Sequence, residues 1–153
     1  ARLRRFRRNS RRFYHGTSTT YESSVRQGID LGAGRQDVDF GRGFYLTESR
    51  RQAEKWARRI AGKTGGDPVI IPYRIANREL RRLRSLEFGA ADESWLRFVR
   101  HHRKSRSAMH EYDLVRGPVV GSVPTLRPLA FPEYNQTSIH TPKAVRVFDM
   151  GRR

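Results

Sequence analysis

The sequence predicts an α+β domain, on three observations. Strand-like and helix-like stretches follow one another without the regular alternation of a βαβ wind and without internal repeat. Thirteen glycines and seven prolines punctuate them, so the strands are short and the turns many. The 153 residues fit one domain, large enough to bury a hydrophobic core but too short for two domains.

The elements follow in order. Residues 1–12 are dominated by Arg2, Arg4, Arg5, Arg7, Arg8, Arg11 and Arg12. Like charges this dense oppose local order, so a flexible basic arm is expected ahead of a single domain over residues 13–150. Order is expected to begin with a short strand at 13–15. Thr19 or Thr20 caps a brief helix that Gly28 stops, residues 28–43 are loop-like, and 44–47 read as strand. Thr47 or Ser49 then caps a helix whose apolar positions Ala53, Trp56, Ala57 and Ile60 recur at i, i+3, i+4 and i+7. Residues 69–75 are rich in β-branched side chains, and Pro72 marks that strand as an edge. Asn77 caps a short helix carrying Leu80 and Leu83. Asp92 caps another, with Trp95, Leu96 and Val99 buried and a basic end at 101–106 turned to solvent. Residues 112–120 form a strand interrupted at Gly117-Pro118, 122–134 a proline-rich loop, and 137–140 a further strand. Thr141-Pro142 opens a turn of helix, where a missing N–H costs nothing. Residues 145–148 are expected to close the sheet.

Composition narrows the function classes. Cysteine is absent, which excludes disulfides, thiolate catalysis and cysteine-ligated zinc. No stretch is long and apolar enough for a membrane span. The net charge is +17, and lysine occurs only at Lys55, Lys63, Lys104 and Lys143, so arginine carries nearly all of it. A field of this sign favours polyanions: RNA, DNA or acidic protein surfaces. The basic arm (Arg4, Arg5, Arg7, Arg8, Arg11, Arg12) and the basic helix end (Arg103, Lys104, Arg106) are the candidate phosphate contacts.

Common catalytic sets are poorly represented. Glu111 and Asp113 flank Tyr112 on a strand and are expected to pair with arginines, and the histidines show no metal spacing, so no metal is expected. Gly41-Arg42-Gly43 is followed by no phosphate-binding lysine of the P-loop kind.

The motifs taken together carry more. Tyr14-His15-Gly16-Thr17, then Asp39-Phe40-Gly41-Arg42-Gly43-Phe44-Tyr45-Leu46-Thr47, then Gln52-Ala53-Glu54-Lys55-Trp56, then Asn135-Gln136-Thr137-Ser138-Ile139-His140 stand in one order. That order resembles the histidine–tyrosine–glutamate ADP-ribosyltransferases, the branch of diphtheria toxin and the poly-ADP-ribose polymerases. It is most similar to small bacterial domains of that fold, which often form the toxin tips of larger secreted proteins. Residues 112–119 resemble that family's sixth-strand region, so the likeness covers 13–148.

The resemblance implies two small, packed, mostly antiparallel sheets (a split β-sandwich) with flanking helices. It also implies NAD as the donor substrate. By resemblance, His15 hydrogen-bonds a ribose hydroxyl, Thr17 supports that edge, and Gly16 offers its N–H and C=O to the carboxamide, with no side chain to block approach. Gly43 and Phe44 lead into Tyr45, which stacks on nicotinamide. Trp56 stands where the polymerase branch carries its second stacking aromatic, although its place on the apolar helix face also fits a core role. Gln136 departs from the pattern, which has Glu. Cleavage at nicotinamide develops oxocarbenium character, which a carboxylate steadies. Gln keeps the hydrogen bond without the charge, and Glu133 is the nearest upstream carboxylate that could replace it.

The function implied is an NAD-dependent mono-ADP-ribosyltransferase, with His15, Tyr45 and Gln136 as the catalytic set. It would act as a toxin or effector tip, delivered as part of a larger protein into the target-cell cytoplasm. The charge favours RNA over protein as acceptor, and a producing cell would need an immunity protein. An NAD glycohydrolase, or an inactive module binding NAD, ADP-ribose or nucleic acid, remains the alternative.

Overall fold

In the computed structural model, which describes residues 2–33, 38–105, 110–122 and 125–153, the basic arm divides between two elements. Helix α1 spans Arg2–Arg8, and strand β1 runs over Ser10–Ser18. Order therefore starts well before Phe13. Ser10, Arg11 and Arg12 find strand partners in Ala76, Ile75 and Arg74, and Glu48 pairs with Arg11 at 3.4 Å. Ladder hydrogen bonds and that ion pair offset the like-charge repulsion expected to keep the segment open.

From there α2 (Thr19–Gln27) and a short 3₁₀ turn (Leu31–Ala33) lead to β2 (Phe44–Leu46), α3 (Arg50–Thr64), β3 (Pro68–Ala76) and α4 (Asn77–Leu80). Next come β4 (Ser85–Glu87), α5 (Glu93–Lys104), β5 (Leu114–Pro118), β6 (Val120–Ser122), β7 (Arg127–Pro128), β8 (Asn135–Ile139) and α6 (Pro142–Met150). The caps follow local chemistry. Ser49, Asp92 and Thr141 accept from the backbone N–H of Gln52, Trp95 and Ala144, and Gly65 closes α3. Residues 145–148 lie in α6 and not in a strand. Ala144 and Phe148, four residues apart, form one buried helical face, and the Phe148 ring packs 5.2 Å from that of Phe13.

The domain is α+β, with three small sheets among the described residues. β1 and β3 pair antiparallel; a four-stranded sheet runs β2-β8-β5-β4, parallel only between β4 and β5; β6 and β7 form a ribbon. Pro72 lies opposite Tyr14 with its carbonyl accepting from Arg153, so its missing N–H falls on the side of β3 away from β1. One core joins the first two sheets: Phe13, Ile71 and Tyr73 pack with Phe44, Leu46, Leu114 and Ile139 under Ala144 and Phe148. A second gathers Phe40, Phe88, Trp95, Val99 and Val115 between the four-stranded sheet and α5. Among the described residues no helix is long and apolar enough to cross a membrane.

Candidate functional site: a gap between β1 and β2

β1 alternates its faces. Phe13 turns into the core, and His15 and Thr17 follow on that face; Tyr14 and Gly16 take the other. Tyr14 also exchanges two backbone hydrogen bonds with Thr47, at 2.7 and 2.9 Å, which ties β1 to the end of β2. Extended by two residues, that antiparallel register sets Gly16 opposite Tyr45. No bridge forms there. The imidazole of His15 takes the Tyr45 carbonyl instead, with Nδ1 donating at 2.7 Å. Backbone groups two residues apart point to the same edge, so the N–H and C=O of Gly16 face this gap, as those of Tyr14 face Thr47. No described residue bonds them there.

Glycine at 16 serves the other side of the strand. A Cβ there would collide with the backbone of Ala53 and Ala57 in α3. The room expected for a ligand at the Gly16 Cα is therefore filled by the helix, while the peptide edge stays open. The same closeness explains the buried face of α3, where Gln52, Ala53, Ala57 and Ala61 make the contact and Trp56 and Ile60 stay half-buried. Trp56 belongs to neither hydrophobic cluster, so the core role is not its place.

His15 stacks on Phe44 with ring centres 4.0 Å apart and planes 24° from parallel. Its pKa is pushed down to about 4 by burial, against the raising effect of the Tyr45 carbonyl. A neutral ring donating through Nδ1 leaves Nε2 as an acceptor. Phe44 lies in the core, so it supports His15 from behind. Thr17 is buried on the same strand.

Tyr45 emerges on the other face of β2. Its hydroxyl accepts from Phe40 N–H at 2.9 Å and donates to Gly41 C=O at 2.7 Å. Burial, more than any neighbour, holds this phenol well above its ordinary pKa, so it remains a donor. Ser138 pairs with Tyr45 across the β2–β8 ladder, and Gln136, two residues along β8, shares that face.

Gln136 is buried, and its side-chain Nε2 donates both to Asp39 Oδ2 at 2.7 Å and to Pro118 C=O at 3.0 Å. Asp39 is buried too, and Arg103 of α5 closes on its other oxygen at 2.5 and 2.6 Å. Asp39 is thus the carboxylate beside Gln136. Glu133 is exposed and does not take that place. Reasoning from sequence missed Asp39 as a site residue. Its only signal was its place at the head of the glycine motif.

The whole 38–43 loop is held by side chains. His110 Nε2 donates to Phe40 C=O at 2.9 Å, and His140 Nδ1 to Arg42 C=O at 2.8 Å. With its Nδ1 proton so placed, His140 Nε2 accepts from the Ser138 hydroxyl at 2.7 Å. Its pKa is pushed down to about 3, by burial first and by His110 second. Gly43 lies so close to Ile139 and His140 that a Cβ would clash with both. Neither His110 nor His140 was singled out from sequence as a site residue.

The expected phosphate contacts divide. Arg4, Arg5, Arg7 and Arg8 project from α1 into solvent, with Arg4, Arg5 and Arg8 lining one shallow cleft. Arg12 joins Arg50, Arg74 and Arg153 over Tyr14 in a second. Neither cleft includes His15 or Gln136. Lys104 is exposed, and Arg106 lies outside the described residues. The basic end of α5 does not simply face solvent: His102 is buried, and Arg103 is committed to Asp39. Arg11 leans on Glu48, which also binds Arg116. Glu111 pairs with Arg84 at 3.0 Å, and Asp113 accepts from Arg84 N–H and from the Thr141 hydroxyl. Among the described residues no group of three or more His, Cys, Asp or Glu is placed to hold a metal ion.

What these features define is a mixed α+β domain with an open peptide edge at Gly16 beside His15, and with Tyr45 and Gln136 on one face of the neighbouring β2–β8 pair. The chain belongs to the DUF3990 family, described as proteins of unknown function, whose pattern matches residues 12–125. That match takes in β1 from Arg12 onward, the glycine motif and α3, and stops short of Gln136. Comparison with curated proteins and with solved structures finds no match.

Proposed function

We propose that the domain is an NAD-dependent mono-ADP-ribosyltransferase of the histidine–tyrosine–glutamate type, with Gln136 in the glutamate position. The carrying observation is the unbridged step at Gly16 and Tyr45, a peptide edge that no described residue bonds, beside the ring of His15. A carboxamide has one donor and one acceptor side, and a strand residue's N–H and C=O match both at once. In this reading Gly16 holds the nicotinamide amide, Tyr45 and Trp56 flank the ring, and His15 Nε2 accepts from a ribose hydroxyl. Gln136 lies beside the ribose. Pinning the sugar while nicotinamide departs favours a dissociative cleavage, and the acceptor then attacks C1′.

The acceptor in this reading is RNA. The exposed arginines of α1 give it phosphate contacts clear of the NAD gap. Delivery as the tip of a larger toxin, action in a target-cell cytoplasm and protection of the producer by an immunity protein belong to the same proposal.

Incubation with NAD labelled in the adenylate half tests it. Label on RNA is expected. Label in protein that RNase treatment leaves unchanged would replace RNA by a protein acceptor, and free ADP-ribose alone would make the domain a glycohydrolase. Intact NAD across all acceptors would leave only a binding module. Replacing Arg4, Arg5, Arg7 and Arg8 by Gln should weaken RNA labelling and flatten its salt dependence.

A further inference from the structure

The geometry points to Asp39 as the positioning residue that fixes which end of the Gln136 amide faces the substrate; this rests on the NAD-cleaving reading above. A primary amide fits its pocket nearly as well turned over, so its neighbours decide its orientation. Here both neighbours are acceptors: the Asp39 carboxylate at 2.7 Å and the Pro118 carbonyl at 3.0 Å. They use both Nε2 protons. Turned over, Oε1 would face two oxygens with no proton between them. No described residue donates to Oε1, which is thereby kept as an acceptor fit for a ribose hydroxyl.

This answers the problem that Gln136 poses. The carboxylate is not missing from the site but set back by one hydrogen bond, on the loop between the 3₁₀ turn and β2. Arg103 steadies it from α5, and Trp95 of the same helix donates to the Pro118 carbonyl at 3.1 Å, so α5 braces both acceptors. A glutamate at 136 would stand against Asp39 as a second carboxylate, with the Pro118 carbonyl beside them. Glutamine is the residue that these surroundings admit.

The test compares wild type, Asp39→Asn, Gln136→Glu and the double variant in NAD cleavage, with melting temperature as the control for folding. Asp39→Asn is expected to lower kcat about 100-fold, with the KM for NAD changed less than about threefold, because orientation matters most as C1′ becomes charged. Gln136→Glu should suffer similarly. In the double variant amide and carboxylate change places, so the amide at position 39 can donate to the carboxylate at position 136. Activity there should recover at least about tenfold over either single change. An Asp39→Asn enzyme with wild-type kcat, or a double variant no better than the singles, overturns the proposal. A second readout needs neither turnover nor a folded variant. In ¹⁵N-labelled wild type, the Gln136 side-chain NH₂ pair should exchange slowly with water. Rapid exchange overturns the orientation even if NAD is cleaved. Should wild type cleave no NAD, the enzymatic reading falls, and a protected NH₂ pair still upholds the orientation alone.

Discussion

Gly16 of β1 abuts Ala53 of α3 so closely that a Cβ on Gly16 would drive into the Ala53 carbonyl. Backbone meets backbone there, and neither side has a flexible end to yield. Gly16→Ala should therefore cost about 3 kcal/mol or prevent folding, at the upper end of overpacking effects. Urea denaturation checks it, and a midpoint equal to wild type would show that the helix shifts freely.

Tyr45 has two separable duties. Tyr45→Phe keeps the ring but strips the hydroxyl from Phe40 N–H and Gly41 C=O, so about 2 kcal/mol should be lost, with NAD affinity nearly unchanged. Tyr45→Ala removes the stacking face as well and should abolish NAD cleavage. Equal NAD binding by the two variants would refute a stacking role.

His15→Ala removes one hydrogen bond to Tyr45 and one ring from the gap. The fold should survive with a loss of about 1 kcal/mol, while NAD cleavage drops at least about 100-fold. Retained cleavage would place the ribose contact elsewhere.

Acid should destabilise the domain through its buried histidines. His15 and His140 are held at about 4 and about 3, below the ordinary 6.5, chiefly by burial. Below pH 6.5 the unfolded chain takes up protons at these residues while the native rings stay neutral, so stability is full above 6.5 and falls toward pH 4. His102 and His110 are shifted in the same direction. The melting temperature is expected to decline between pH 6.5 and 4.5 and to decline less steeply in His140→Gln. A flat wild-type profile over that interval would contradict it.

Features set by neighbours in sequence were legible, and features set across the chain were not. The caps at Asp92 and Thr141, and Ser49 of the pair Thr47 or Ser49, are local chemistry readable from a few residues. By contrast, α2 and α4 have Ser18 and Ala76 at their N-caps, and not Thr19, Thr20 or Asn77. β4 was not legible, because its three residues are strand only through parallel pairing with β5. Arg11 and Arg12 looked like tail because nothing nearby announces β3 as their partner. His15, Tyr45 and Gln136 could be named from motif order; His15 bonds the Tyr45 carbonyl, and Gln136 shares the Tyr45 face of the β2–β8 pair. The bond from Gln136 to Asp39 spans 97 positions, and no periodicity marks it. Arg103 read as a phosphate ligand because helical periodicity shows which face is apolar, not which loop lies under a basic end.

The pins on the 38–43 loop have a kinetic consequence. Arg103 reaches Asp39 across 64 positions, His110 reaches Phe40 across 70, and His140 reaches Arg42 across 98. Closing such long loops is entropically costly, so these contacts are expected to form after the rate-limiting barrier. Changing a pin should then speed unfolding and leave the refolding rate nearly untouched. The glycine motif would be the last part of the domain to set, and its strength would govern how long a folded molecule lasts rather than how fast one forms.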